Sequence, residues 1–184
     1  YNHTAELKLP PYEAVFQSCS FGSARTTYYS NISAEMDAII FDLDITITQS
    51  QSNAGSQLSR PQAWAKNIIS VGGVRHGNTL TRTDDYWAEA SVGPAEDGRV
   101  KPDLTHFNES IGTVTCCGST SYTSSFGGTS GATPIVAGYI GLIYDLWADG
   151  VFGNPVDPNE DVFYNRCSQA MAKAMAVNAA VPYD

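Results

Sequence analysis

One apolar run, residues 134–148, limits the possible folds of this chain more than any other feature. Ile135, Val136, Ile140, Leu142, Ile143, Leu146 and Trp147 cover most of the circumference when the run is wound as a helix. A helix apolar on every side belongs in the centre of a domain. Gly138 and Gly141 are expected to let neighbouring backbone approach it closely, and Gly150 to stop it. Pro134 is expected in its first turn, where a missing N–H costs little. Gly138, Gly141 and Asp145 interrupt the run, which falls short of the roughly 18 apolar residues of a membrane span.

The turn that leads into this helix reads "SSFGGTSGATPIVAG", residues 124–138, and sets Ser130 at the helix's amino end. Free backbone N–H groups and the helix dipole favour negative charge there. Acyl transfer to a serine needs that environment, because its tetrahedral intermediate carries an oxyanion.

The remaining chain alternates strand and helix. "EAVFQSC" reads as a short buried strand ending at "SFGS", "ITITQS" as an alternating strand, and "NIISVGGV" as another buried strand. "SAEMDAIIFDLD" reads as a helix with Ser33 as N-cap and Glu35 and Asp37 in its first turn. Met36, Ile39, Ile40 and Leu43 make one apolar stripe on it. Residues 75–110 are polar and marked by turns at Gly93-Pro94 and Asp97-Gly98. The order predicts an α/β fold with a largely parallel sheet, built as one domain from 184 residues.

A formal charge of −9 excludes nucleic acid as a partner, since phosphate binding needs a basic face. It suits a soluble, self-repelling surface. No EF-hand-like loop is present, so a structural calcium ion would have to be held by scattered oxygens at an unknown site. No other cofactor is called for. Tyr1 is followed by polar residues rather than by a basic patch and an apolar stretch, so no signal peptide is expected in these residues. The four cysteines are Cys19, Cys116, Cys117 and Cys167, none in a Cys-x-x-Cys spacing. An even count fits an oxidising, extracellular compartment, with one of the adjacent pair bonded to Cys19 or Cys167; buried free thiols are the other reading. Asn2, Asn31 and Asn108 begin N-x-Ser/Thr sequons.

Taken together, the segments resemble the subtilisin-like serine proteases. "GTSGATPIVAG" is similar to the family's Gly-Thr-Ser-x-Ala-x-Pro motif, and "SFG", residues 20–22, to its Ser-x-Gly strand end. "SNAGS" resembles the oxyanion loop, "RPQAWAKNIISVGGV" the return to the sheet, and "SVGPAEDGRVKPDL" the stretch ending in Lys-Pro-Asp. They occur in family order over about residues 13–147. The resemblance implies a three-layer fold with Ser130 as nucleophile and Asn53 as side-chain donor to the oxyanion. It implies Ser20, Phe21 and Gly22 as the edge that binds substrate peptide by strand addition. Gly128 and Thr129 count among the substrate-binding residues, and Gly127 and Gly128 keep the approach to Ser130 clear.

The same resemblance marks what is missing. The family orders its triad Asp, His, Ser. Nineteen residues precede Ser20, and they hold neither the Asp nor the His pattern. His3, His76 and His106 all fall outside the catalytic His context. The chain is therefore expected to be the Ser-bearing portion, residues 1–184, of one catalytic domain, with Asp and His on a preceding segment or another chain. On that expectation it is a serine endopeptidase fragment acting on polypeptides, incomplete as a sheet and inactive alone. The alternatives are an inactive structural or binding module and an incomplete sequence.

Overall fold

The computed structural model of the chain describes every residue except 116, 117, 119, 183 and 184. A short helix, α1 (Asn2–Leu7), leads to strand β1 (Phe16–Cys19), helix α2 (Asn31–Leu43) and strand β2 (Thr46–Ser50). Strands β3 (Ile69–Arg75), β4 (Tyr86–Trp87) and β5 (Leu104–Phe107) complete the main sheet. A two-stranded hairpin, β6 (Ile111–Val114) and β7 (Tyr122–Phe126), then delivers the chain to α3 (Thr129–Ala148), and α4 (Gln169–Ala179) follows.

The main sheet is mostly parallel. β2 lies between β1 and β3, with Phe16 opposite Thr46 and Thr48 opposite Ile69, and β5 runs parallel to β3 with Val71 opposite Leu104. β4 adds an antiparallel pairing at Val74 and Arg75. Two apolar clusters lie on the two faces. Ile39 and Ile40 of α2 meet Ile45, Ile47 and Ile68 on one. Ala132, Val136, Ile140 and Tyr144 of α3 meet Ile69 and Val71 on the other, joined by Ala172 of α4. The result is a three-layer α/β fold.

Several local expectations change. β2 does not have one wet face: all five of its residues are buried, because helices cover both sides. Its threonines are accommodated by hydrogen bonds, Thr46 Oγ1 lying 2.6 Å from the Tyr144 hydroxyl. Burial pushes that phenol up to about 12. Helix α2 begins three residues early, with Ser30 as N-cap. Ser33 sits at N3, fully buried, where it accepts from the Ser30 N–H at 3.1 Å and donates to the Pro61 carbonyl at 2.6 Å. Glu35 and Asp37 consequently lie beyond the first turn; Asp37 instead accepts from the N–H groups of Lys66 and Asn67. The polar, turn-marked residues 75–110 also hold β4 and β5. The Asn108 sequon is buried, with Asn108 packed against Gly73, so its amide is closed to a glycan.

Helix α3 starts at Thr129, five residues before the apolar run, so Pro134 is an interior residue. The helix is not apolar-buried on every side. Tyr139, Leu142 and Leu146 are 55%, 55% and 40% exposed, while Val136, Ala137, Ile140 and Tyr144 are buried. Gly138 faces open space and Gly141 faces the Phe16 ring rather than backbone. Gly150 ends the helix as expected: its φ is +69°, its N–H donates to Trp147 and that of Val151 to Leu146.

The expected disulfide to Cys19 or Cys167 is not formed. Both are free and buried, one in each apolar cluster, and burial raises both thiols, Cys167 to about 11. Residues 116 and 117 lie outside the described residues. Among the described residues no helix is long and apolar enough to cross a membrane, and no three His, Cys, Asp or Glu side chains gather to hold a metal ion.

Candidate active site

Four segments meet around Ser130: the end of β1, the loop after β2, the turn before α3 and the residue following β5. Gly128 starts the turn with φ +73°, a conformation open to glycine, and its N–H donates to the Asn108 carbonyl at 2.7 Å. A side chain on Gly128 would lie 2.9 Å from Asn53 Nδ2. Gly127 is required for another reason than access to Ser130, because a Cβ there would sit 2.6 Å from the Asn108 carbonyl.

Thr129 and Asn53 fix each other. The Thr129 N–H and its Oγ1 donate to Asn53 Oδ1 at 2.8 and 3.1 Å. A backbone N–H can only donate, so this assigns the oxygen of the amide and leaves Nδ2 as the outward donor. Thr129 Oγ1 also accepts from the Ser52 N–H at 3.2 Å. Ser130 is the second residue of α3, half-buried, and among the described residues its N–H has no acceptor. Two unspent donors, the Ser130 N–H and Asn53 Nδ2, therefore flank one turn at a helix N-terminus.

On the opposite side runs the edge Ser20, Phe21 and Gly22. Ser20 Oγ donates to the Ser130 carbonyl at 3.1 Å, and Ser130 Oγ donates to the Ser20 carbonyl at 3.4 Å. The first bond has a cause in the sequence. The Ser130 carbonyl would ordinarily accept the N–H of residue 134, but Pro134 has none, and Ser20 takes its place. Phe21 is 76% exposed, and its carbonyl accepts from the buried Gln49 side chain at 2.8 Å. Gly22 is packed over Arg60 and Gln62, leaving no room for a Cβ.

The histidines lie elsewhere. His3 is in α1 and His76 follows β3, its ring tilted against that of Phe107. His106 lies in β5 beside Tyr139, with Nδ1 accepting the Phe107 N–H, and burial lowers its pKa. Among the described residues the Ser130 hydroxyl has the Ser20 carbonyl as its hydrogen-bond partner and no imidazole.

Sequence reasoning missed four supports of the site. Ser52, next to Asn53, holds φ at +116°, a strained backbone worth about 1–3 kcal/mol. Arg25 Nε donates to its Oγ at 2.7 Å. Gln49 and the Asn108 carbonyl brace the peptide edge and the turn. The polar string "QSQS", following isoleucines in a buried strand, was the available signal for Gln49; the Arg25 contact joins two loops and leaves no local trace.

The subtilase family model matches residues 11–181. The fold is similar to the patellamide maturation protease PatA, at TM-score 0.60 and 17% identity, covering 89% of this chain and 51% of that one. It is also similar to the prenylagaramide maturation protease PagA (TM-score 0.62, 14% identity, 96% and 65% covered) and to Sphericase (0.59, 18%, 87% and 46%). The chain thus spans about half to two thirds of the length of these structures. Among curated proteins no sequence matches.

Proposed function

The chain belongs to the subtilase family, and on that premise we propose that it is the Ser-bearing portion of a serine endopeptidase whose catalytic Asp and His lie on a preceding segment or another chain. The observation that carries this reading is the anchored Asn53 amide, its oxygen held by Thr129 and its Nδ2 turned to the Ser130 turn. A binding module has no chemical use for that arrangement.

In this mechanism a histidine from the complementary segment takes the Ser130 proton, displacing the hydroxyl from the Ser20 carbonyl. Ser130 Oγ attacks the scissile carbonyl carbon. The oxyanion is met by Asn53 Nδ2 and the Ser130 N–H, aided by the α3 dipole. The proton passes to the leaving amine, and water then clears the acyl-enzyme. The substrate backbone lies along Ser20, Phe21 and Gly22. The complementary segment also has surface to cover: the exposed Tyr139, Leu142 and Leu146, and the edge of β1 away from β2.

A fluorophosphonate probe tests the proposal. It is expected to label Ser130 in the complex with the complementary segment and to leave the isolated chain almost unlabelled. Strong labelling of the isolated chain overturns the external base. The position of all three histidines away from Ser130 favours a second reading, a subtilase-derived binding protein without catalysis; absence of labelling in the complex supports it.

A further inference from the structure

We propose that Arg25 makes this site select an acidic side chain, glutamate or aspartate, on the residue that supplies the scissile carbonyl. The inference rests on the endopeptidase reading and names its substrate class. If the scissile oxygen sits at Asn53 Nδ2 and the peptide backbone runs along Ser20–Gly22, that residue's side chain enters the gap between the oxyanion loop and the peptide edge. Arg25 spans this gap. It follows Gly22 by three residues, and its Nε–H reaches across to Ser52 Oγ at 2.7 Å, next to Asn53.

The floor of the gap is polar and closed. Thr26 and Ser59 exchange backbone hydrogen bonds at 2.8 and 2.9 Å, and the fully buried Ser59 hydroxyl donates to the Gln51 carbonyl. Arg60, beneath Gly22, has committed a guanidinium nitrogen to the Ser23 carbonyl at 2.7 Å. Arg25 has committed only Nε: among the described residues no carboxylate pairs with it, and its two terminal nitrogens keep their protons unshared. A guanidinium pinned at Nε presents a planar fork that fits a carboxylate bidentately. The strained φ of Ser52 aims the pin, since its N–H, carbonyl and Oγ are all engaged, by Thr129, Ser91 and Arg25. An apolar side chain entering the same gap would meet serine hydroxyls and a cation, and a basic one would be repelled.

The test uses the native complex carrying Ser130→Ala, so that binding is read without turnover. The probes are N-acetyl tetrapeptide amides identical except for Glu, Gln, Leu or Lys at the last position, titrated at low salt. The Glu peptide is expected to bind about tenfold more tightly than the Gln peptide, as a partly exposed charge-assisted fork should give. The margin should shrink in high salt. It should vanish in Arg25→Gln and fall in Arg25→Lys and Ser52→Ala, which keep the charge but lose the fork or its pin. Equal affinity for Glu and Gln, or a Glu preference that survives Arg25→Gln, overturns the proposal. Because these titrations need no catalysis, they stand apart from the endopeptidase reading, which fails separately if the complex with Ser130 intact cleaves none of the four sequences extended past the probe residue.

Discussion

Thr129 is fully buried, and each of its polar groups is engaged at the site: the N–H and Oγ1 hold Asn53 Oδ1, Oγ1 accepts from Ser52, and the carbonyl accepts from Thr133 Oγ1 at 2.6 Å. Thr129→Val keeps the shape but strands the Ser52 N–H and frees one side of the Asn53 amide. It is expected to cost about 1–3 kcal/mol in denaturant unfolding of the complex. Turnover should fall with KM little changed, and Thr129→Ser should restore it, because in the proposed mechanism the Asn53 donor acts on a developing oxyanion rather than on bound substrate. Asn53→Ala should lose more, about 10²- to 10³-fold in kcat, the size known for the corresponding donor in subtilisin. That Asn53 and Gly128 would lie beside Ser130 could be expected from the sequence because each falls in a short string that carries the family resemblance. Arg25 could not. Its role depends on a contact 27 positions away in sequence, made only once β1 and β2 lie side by side.

Helix α3 carries its proline where a helix normally tolerates none, and the site uses the gap that it leaves. Interior proline costs roughly 3 kcal/mol relative to alanine, offset in part by the stiffer unfolded chain. Pro134→Ala is thus expected to stabilise the complex by about 1–2 kcal/mol. Its N–H would also compete with Ser20 Oγ for the Ser130 carbonyl. A double-mutant cycle checks the idea: Ser20→Ala should cost about 1 kcal/mol in the parent and close to nothing in the Pro134→Ala background. Additive effects would show that the Ser20 bond does not replace the missing one. The helix itself was visible as an apolar run, but its true start was hidden. Residues 129–133 are small or polar, and only the Asn53 contact and the sheet beneath make them helical. Strand β5 was hidden for a similar reason: its four residues are half-buried at most and gain strand form by pairing with β3.

Across the molecule, one carboxylate ties three elements together. Asp103, just before β5, meets Lys101 Nζ at 2.7 Å and Lys173 of α4 at 3.1 Å, and its Oδ2 accepts from the N–H and Oγ of Ser70 at 2.8 Å each. Burial alone would raise its pKa, but the two lysines outweigh burial and hold the carboxyl below the usual carboxylate range. A depressed carboxyl stabilises the fold above its unfolded pKa of about 3.9 and loses that contribution as pH falls through the folded value. Asp103→Asn should therefore cost about 3–5 kcal/mol at neutral pH and flatten the acid limb of the stability profile below about pH 4. That tie holds α4 to the sheet, yet α4 leaves part of the α3 face beside it uncovered. Tyr139, Leu142 and Leu146 stay exposed in a groove beside α4 and β5, and at the opposite edge of the sheet β1, among the described residues, pairs with β2 alone. Burying three such side chains is worth several kcal/mol at about 25 cal/mol per Å², comparable to the whole stability of a small domain. The isolated chain should consequently self-associate and unfold broadly in urea. Addition of the complementary segment should give one sharp transition and slow amide exchange along β1 and α3. A monomeric isolated chain that unfolds in one cooperative step, with β1 and α3 already protected, would show that these residues need no second segment to fold.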